Sequence, residues 1–139
     1  MDKKKNILVI EDEDNLMQII EQKLIASGFN VLTAKTADGA MEIIKSGGKI
    51  DLIWLDHYLP KKNGLELTIR LKYDIKYSDI PIFLISNSTD VKDLYVYVNL
   101  GINKYYVKAD NTLQDIINDI QDFFAGKTDE TINQSNRIL

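Results

Sequence analysis

The chain has 139 residues, of which 45% are hydrophobic and 27% are charged, and these values are typical of a single globular domain. The net charge of -4 disfavours nucleic-acid binding through bulk electrostatics, and no basic stripe offsets it. The absence of cysteine excludes disulfides, thiol catalysis and cysteine-ligated zinc, and the single histidine disfavours a histidine-rich metal site or a Ser-His-Asp triad.

No apolar segment approaches the roughly 20 residues that a membrane span needs. The charged N-terminus leads into an apolar run too short for a signal peptide. We therefore expect a cytoplasmic protein that makes no membrane contact.

Along the chain, short apolar runs alternate with helical patterns. The first run ends in acidic residues, of which Asp14 or Asn15 is expected to cap the first helix. Gly28 marks the end of the first helix, and Gly47 and Gly48 mark the end of the second. Thr36 and Thr112 are expected to cap the beginnings of the second and fifth helices. Strands are predicted at residues 7–10, 29–34, 52–56, 81–85 and 104–107, and helices at about residues 15–27, 37–45, 64–73, 91–100 and 113–124.

Five successive strand–helix units predict an α/β fold with a parallel sheet and helices on both faces. We expect residues 1–125 to form this one domain. Residues 126–139 are polar, with little periodicity, and we expect them to form a flexible tail.

The central stretch, residues 51–60, suggests the chemistry. Its apolar part, residues 52–55, is too short for a helix and predicts a strand buried on both faces. The strand ends on Asp56, and a loop then leads into a helix. Open α/β sheets bind their ligands beyond the carboxyl ends of the strands. We therefore expect Asp56 to be a reactive carboxylate that accepts a phosphoryl group.

Polar residues from the other strands are expected to reach the same edge of the sheet. Oxygen ligands without thiol or imidazole suit Mg²⁺ or Mn²⁺. Phosphoryl transfer needs a nucleophile, a metal and donors for the phosphoryl oxygens. Asp56 can serve as the nucleophile, Asp12 can bind the metal directly, and Glu11 can bind it through water. Ser86 and Lys108 can each bind a phosphoryl oxygen.

With these residues in place, the sequence resembles a receiver domain of the two-component response-regulator family, nearest to the stand-alone chemotaxis type. The resemblance covers roughly residues 5–125, with matching motifs at residues 7–13, 55–60 with Gly64, 83–86 and 101–108. It implies a doubly wound, flavodoxin-like α/β fold with the strand order 2-1-3-4-5.

The resemblance also implies roles for particular residues. Asp56 would receive its phosphoryl group from a histidine kinase or a phosphotransfer protein in a Mg²⁺-dependent reaction. Ser86 would then move toward the phosphate and Tyr105 would turn inward, and the main-chain carbonyl of Tyr58 would be a metal ligand. Such a protein is a switch rather than an enzyme acting on a separate metabolite, although it assists its own phosphorylation and dephosphorylation.

The resemblance further implies that the signal leaves by protein contact through the face of the fourth helix, fifth strand and fifth helix. That face contains Tyr95, Tyr97, Tyr105 and Tyr106, and aromatic residues are enriched at interfaces, although packing roles for Tyr95, Tyr97 and Tyr106 are also expected. We expect a monomer or weak dimer that binds no nucleic acid. His57 is expected to be a neutral surface or loop residue without a role.

Two departures from the family pattern are present. Ala109 stands where the family usually has a proline after a cis bond, and a cis bond before a non-proline costs about 2.5–4 kcal/mol. Either Lys108 precedes a strained bond or this loop runs differently. Asn87 and Tyr58 border the expected phosphate, and we expect them to tune the lifetime of the phosphoryl group.

Two alternative functions follow from these observations. A receiver that binds partners constitutively without phosphate is favoured only by Ala109. An aspartyl-phosphate phosphatase or a nucleotide-binding protein of similar layered fold is disfavoured, because the chain has no G-x-x-x-x-G-K-[ST] motif, no G-x-G-x-x-G motif after the first strand and no lid insertion to enclose a substrate.

Overall fold

The computed structural model describes residues 3–87 and 92–127. Its centre is one parallel sheet of five strands in the order β2-β1-β3-β4-β5, so the predicted fold class and strand order are confirmed. The strands are β1 (Asn6–Ile10), β2 (Asn30–Ala34), β3 (Leu52–Asp56), β4 (Ile82–Ser86) and β5 (Lys104–Val107).

Five helices alternate with the strands and cover both faces of the sheet. They are α1 (Asp14–Ala26), α2 (Ala37–Lys45), α3 (Gly64–Lys72), α4 (Leu94–Leu100) and α5 (Leu113–Phe124). Apolar residues of α1 and α5 pack on one face, where Trp54 lies. Those of α2, α3 and α4 pack on the other face, where Leu55 lies. Because successive side chains of a strand point to opposite faces, both faces of the central strands are apolar, as a doubly covered parallel sheet requires.

The local sequence predicted the N-terminal caps of two helices correctly and that of a third incorrectly. Thr36 accepts a hydrogen bond from the backbone of Gly39 at 2.9 Å, and Thr112 forms a capping box at the start of α5, so both predicted caps are confirmed. The predicted cap of α1 is wrong. Glu13 occupies the cap position without a side-chain hydrogen bond, and Asp14 is already the first helical residue.

The remaining boundaries differ only slightly from the prediction. β4 begins at Ile82, one residue after the predicted start, and it extends to Ser86. The predicted beginning of the fourth helix falls partly on residues 88–91, which lie outside the described residues, and α4 itself starts at Leu94. Most of the predicted tail, residues 128–139, is also outside the described part, so the domain boundary near residue 125 stays a prediction. Within residues 3–87 and 92–127, no helix has the length and apolar character needed to cross a membrane.

Candidate functional site

Three carboxylates meet at the carboxyl edge of the sheet. β1 and β3 are neighbours, with Ile10 opposite Leu55, so the residues that follow these two, Glu11 and Asp56, come side by side. Asp12 completes the group, and one carboxylate oxygen from each of Glu11, Asp12 and Asp56 lies within 4.8 Å of the others. Glu11 and Asp56 are only 2% and 4% exposed, whereas Asp12 faces solvent. The cluster is therefore open on one side and buried on the other.

Lys108 brings a positive charge to these acids. Its ammonium nitrogen lies 3.0 Å from Oε1 of Glu11 and 3.5 Å from Oδ2 of Asp56. The backbone holds Lys108 in place, because its N–H donates to the carbonyl oxygen of Ser86 at 2.8 Å. The described residues contain no cis peptide bond, so the Lys108–Ala109 bond is trans. Of the two alternatives that Ala109 raised, the structure therefore has a loop that runs differently and still places the ammonium at the site.

The carboxyl group of Asp56 is electrostatically unusual. Burial raises its pKa from 3.8 to about 6, the charge of Lys108 opposes this rise, and the charge of Glu11 adds to it. The backbone N–H of Tyr58 donates to Oδ1 of Asp56 at 3.2 Å and stabilises the charged form. Asp56 is thus largely ionised at pH 7.5, but at a free-energy cost that an additional cation would relieve.

The donor set fits a divalent cation that prefers oxygen. All three candidate side chains offer carboxylate oxygens, and one ammonium group leaves the cluster with excess negative charge. Hard divalent cations take such ligands and retain several waters. One oxygen of Glu11 contacts Lys108 and the other accepts a hydrogen bond from the Glu13 backbone at 3.2 Å, whereas Asp12 is exposed and is the most accessible of the three ligands.

The two predicted switch residues lie on the adjacent strands. Ser86 is fully buried at the end of β4, and its neighbour Ile85 is paired with Asp56. Tyr105 is half-buried on β5 and packs against the apolar cluster beneath α2, α3 and α4. The structure thus brings together five of the predicted residues at one edge of the sheet: Glu11, Asp12, Asp56, Ser86 and Lys108. Tyr105 lies on β5, the strand next to the one that ends on Ser86. The chemical roles of these residues, and that of the Tyr58 carbonyl, stay predictions.

His57 lies in the loop directly after β3, which is one of the two expected positions, but it is buried rather than at the surface. His57 is 6% exposed, and its Nδ1 lies 2.6 Å from the hydroxyl oxygen of Tyr97 in α4. The sequence contained one signal for this burial, since His57 directly follows a strand in which every residue is apolar except the terminal Asp56. Its partner could not be identified, because the two residues are 40 positions apart.

The four tyrosines also have different environments. Tyr97 and Tyr106 are fully buried, whereas Tyr95 is 81% exposed. The hydroxyl of Tyr106 donates to Oδ2 of Asp119 in α5 at 2.8 Å. Packing roles are therefore confirmed for Tyr97 and Tyr106 and are wrong for Tyr95. The predicted surface of four tyrosines reduces to exposed Tyr95 and half-buried Tyr105.

Comparison with known proteins agrees with this geometry. A model of the response regulator receiver domain family matches residues 7–121, and the chain belongs to this family. It is therefore a receiver domain of two-component signalling, which is a class of regulatory switches that interact with histidine kinases and downstream effectors rather than a class of metabolic enzymes.

Individual relatives place the chain more narrowly. It is 27% identical over 103 residues to a chemotaxis protein CheY homolog of Campylobacter jejuni, covering 73% of this chain and 79% of that protein. The crystal structure of the phosphorylated cyanobacterial phytochrome response regulator RcpA superposes with a TM-score of 0.78 at 26% identity, covering 91% of this chain and 98% of that one. The chain is thus CheY-like in fold and domain type.

A second group of relatives is longer. The chain is 33% identical over 103 residues to a protein of Cyanidium caldarium named "Probable transcriptional regulator ycf27", and the match covers 74% of this chain but only 40% of that protein. The chain thus spans less than half the length of this relative. The expectation that it binds no nucleic acid accordingly stays a prediction.

Proposed function

We propose that this receiver domain is switched by phosphorylation of Asp56, with Mg²⁺ as the cofactor. The observation that carries the proposal is the position of the Asp56 carboxylate, which is buried, lies within 4.8 Å of carboxylate oxygens of Glu11 and Asp12, and is 3.5 Å from the Lys108 ammonium. A carboxylate in this environment is at the sheet edge where α/β proteins bind ligands, beside the charges that phosphoryl transfer requires.

In the proposed reaction, an oxygen of Asp56 attacks the phosphorus of a phosphohistidine on a histidine kinase or phosphotransfer protein. The new O–P bond forms as the P–N bond breaks, and the departing imidazole takes up a proton. Lys108 and Ser86 would each bind a phosphoryl oxygen. Asp12, Asp56 and the Tyr58 carbonyl would hold Mg²⁺, with Glu11 contributing through water. When bound, the metal supplies positive charge against the charge of the transferring group.

Phosphorylation then alters a protein-binding surface. Ser86 and Tyr105 are the proposed switch residues, since Ser86 lies at the site and Tyr105 packs on the α4 side of the sheet. The proposed output surface is the face of α4, β5 and α5, where Tyr95 and Val96 are 81% and 42% exposed. We propose that a downstream protein binds there and that the receiver acts in the cytoplasm as a monomer or weak dimer.

The test is whether Asp56 becomes covalently phosphorylated. The protein is incubated with acetyl phosphate and Mg²⁺ and followed by intact mass, while beryllofluoride binding is followed by Trp54 fluorescence. Trp54 and Lys108 line the same cavity, so the fluorescence is expected to respond to a ligand at the site. We expect a Mg²⁺-dependent, acid-labile mass increase of one phosphoryl group. Asp56→Asn should abolish it.

Asp38→Asn is the matched control, because Asp38 is an exposed carboxylate that pairs with Lys62 and is not part of the acidic cluster. It should be modified like the parent protein. A mass increase that survives in Asp56→Asn would refute the assignment of Asp56. No modification of the parent and no metal-dependent change would favour the constitutive binding module. Ala109 is the only sequence feature that favours this module, and Lys108 contacts Glu11 and Asp56 without a proline after it.

A further inference from the structure

Helix α4 has one fully buried side chain, that of Tyr97, while Leu94 packs against the same apolar cluster as a partly buried residue. Among its seven residues only Tyr97 is buried, and the side chain of the cap residue Asp93 makes no capping hydrogen bond to the start of the helix. Tyr97 is fully buried, and its hydroxyl reaches Nδ1 of His57 at 2.6 Å. The residue directly after Asp56 is therefore hydrogen-bonded to the main anchor of α4.

We propose that His57 and Tyr97 are positioning residues, whose hydrogen bond fixes α4 against the strand end that carries Asp56 and transmits changes at Asp56 to the exposed face of α4. The anchoring of α4 in the free protein is independent of the proposed function. The transmission of changes from Asp56 to α4 rests on the proposed function.

The chemistry of the pair makes the contact specific. Burial lowers the pKa of His57, and burial together with the charge of Asp93 raises the pKa of Tyr97, so both side chains are neutral at pH 7.5. Either the Tyr97 hydroxyl donates to Nδ1 or the Nδ1–H donates to the hydroxyl oxygen. Loss of either partner leaves a buried polar atom without this bond, which is more costly than the net value of the bond itself.

The surrounding backbone leaves the contact little freedom. The N–H of Gly64, the first residue of α3, donates to the carbonyl oxygen of His57 at 2.8 Å. A Cβ atom at Gly64 would lie 2.9 Å from the Tyr97 hydroxyl and 3.1 Å from Cα of His57. The tyrosine hydroxyl thus occupies space that only a glycine at this position leaves open, and the end of β3, the start of α3 and helix α4 meet at this hydrogen bond.

Aromatic packing extends the contact to the mouth of the site. The rings of His57 and Tyr97 meet edge to face with centroids 5.6 Å apart. On its other side the His57 ring meets the ring of Tyr58 at 4.7 Å, and Tyr58 is 51% exposed. We therefore expect a movement of the loop after Asp56 to displace the ring that holds Tyr97, because protein interiors are closely packed.

The test is hydrogen–deuterium exchange of residues 94–100 in Tyr97→Phe and the parent, with and without Mg²⁺ and beryllofluoride. Loss of one buried hydrogen bond corresponds to about tenfold faster exchange of α4 in the free protein. With the ligand, the parent should show a change in α4 exchange that is smaller or absent in Tyr97→Phe.

Tyr106→Phe is the matched control, because it removes the same atom from an equally buried tyrosine that bonds to α5 instead of the β3 end. It should lower overall stability without selectively exposing α4. His57→Phe removes the other partner and keeps a ring, so it should reproduce the Tyr97→Phe effect. The double variant should add little to either single change.

Equal α4 exchange in Tyr97→Phe, His57→Phe and the parent would overturn the anchoring. A ligand-induced change that is the same size in all three would overturn the transmission. If the parent binds no beryllofluoride, the proposed function fails instead, and exchange in the free protein still decides the anchoring.

Discussion

Asp56→Asn should make the protein more stable, and the gain should depend on pH. The carboxyl group of Asp56 has a pKa of about 6 in the folded protein against 3.8 for its ordinary value. A raised carboxyl pKa means that the folded state binds the proton more tightly than the unfolded state does. Stability therefore falls as pH rises from about 4 to 6 and is constant above that range. An amide cannot ionise, so the variant avoids this loss.

The magnitude follows from the two pKa values. A difference of about two units corresponds to about 3 kcal/mol at pH 7.5, where the folded Asp56 is ionised. At pH 4.5 the folded carboxyl is mostly protonated, and the gain shrinks to about 1 kcal/mol. Asp56 is only 4% exposed, so solvent screens little of this effect.

The assay is urea unfolding followed by circular dichroism between pH 4.5 and 7.5 in metal-free buffer. A second series contains saturating Mg²⁺, which should stabilise the parent more than the variant and so reduce the difference. Asp38→Asn is the control with the opposite sign. A hydrogen bond from Lys62 lowers the pKa of Asp38, so its stabilising effect is present above the unfolded pKa and is lost as pH falls through the folded pKa.

A gain from Asp56→Asn that is the same at pH 4.5 and 7.5 would refute the reasoning, because it would show that the ionisation of Asp56 does not set the stability. A destabilised variant at pH 7.5 would show that the attraction of Lys108 outweighs the cost of burial.

Three further changes should each lower the free energy of unfolding, as measured by urea denaturation at pH 7.5. Gly64→Ala should cost about 1–3 kcal/mol, since the new Cβ would lie 2.8 Å from the carbonyl oxygen of Asp56; an unchanged midpoint would contradict the tight packing described. Lys108→Met should cost about 1–3 kcal/mol because it removes the ammonium between two buried carboxylates, and added Mg²⁺ should restore part of the loss. Thr112→Ala should cost about 1 kcal/mol by removing the cap of α5, whereas Thr112→Ser should be nearly neutral; equal losses in the two would argue against the cap.

The sequence predicted the site better than it predicted the surroundings of the site. Asp56, Glu11 and Lys108 follow separate apolar runs, and parallel strands bring their carboxyl ends to one edge whatever the details of packing. Ala109 left the course of the last loop open, because the backbone path after β5 depends on the neighbouring strand. In the structure the N–H of Lys108 donates to the carbonyl oxygen of Ser86, and this bond fixes the lysine without a cis peptide.

By itself, the sequence determined the number, type and order of the elements and the acidic character of one sheet edge, because apolar periodicity and capping residues act over a few positions. Only the tertiary structure decided which tyrosines are buried, how far burial raises the pKa of Asp56, and that His57 bonds to Tyr97. These properties depend on side chains that are far apart in the chain, such as His57 and Tyr97 at a separation of 40 residues. Burial and electrostatic environment are set by such neighbours, and a local pattern does not contain them.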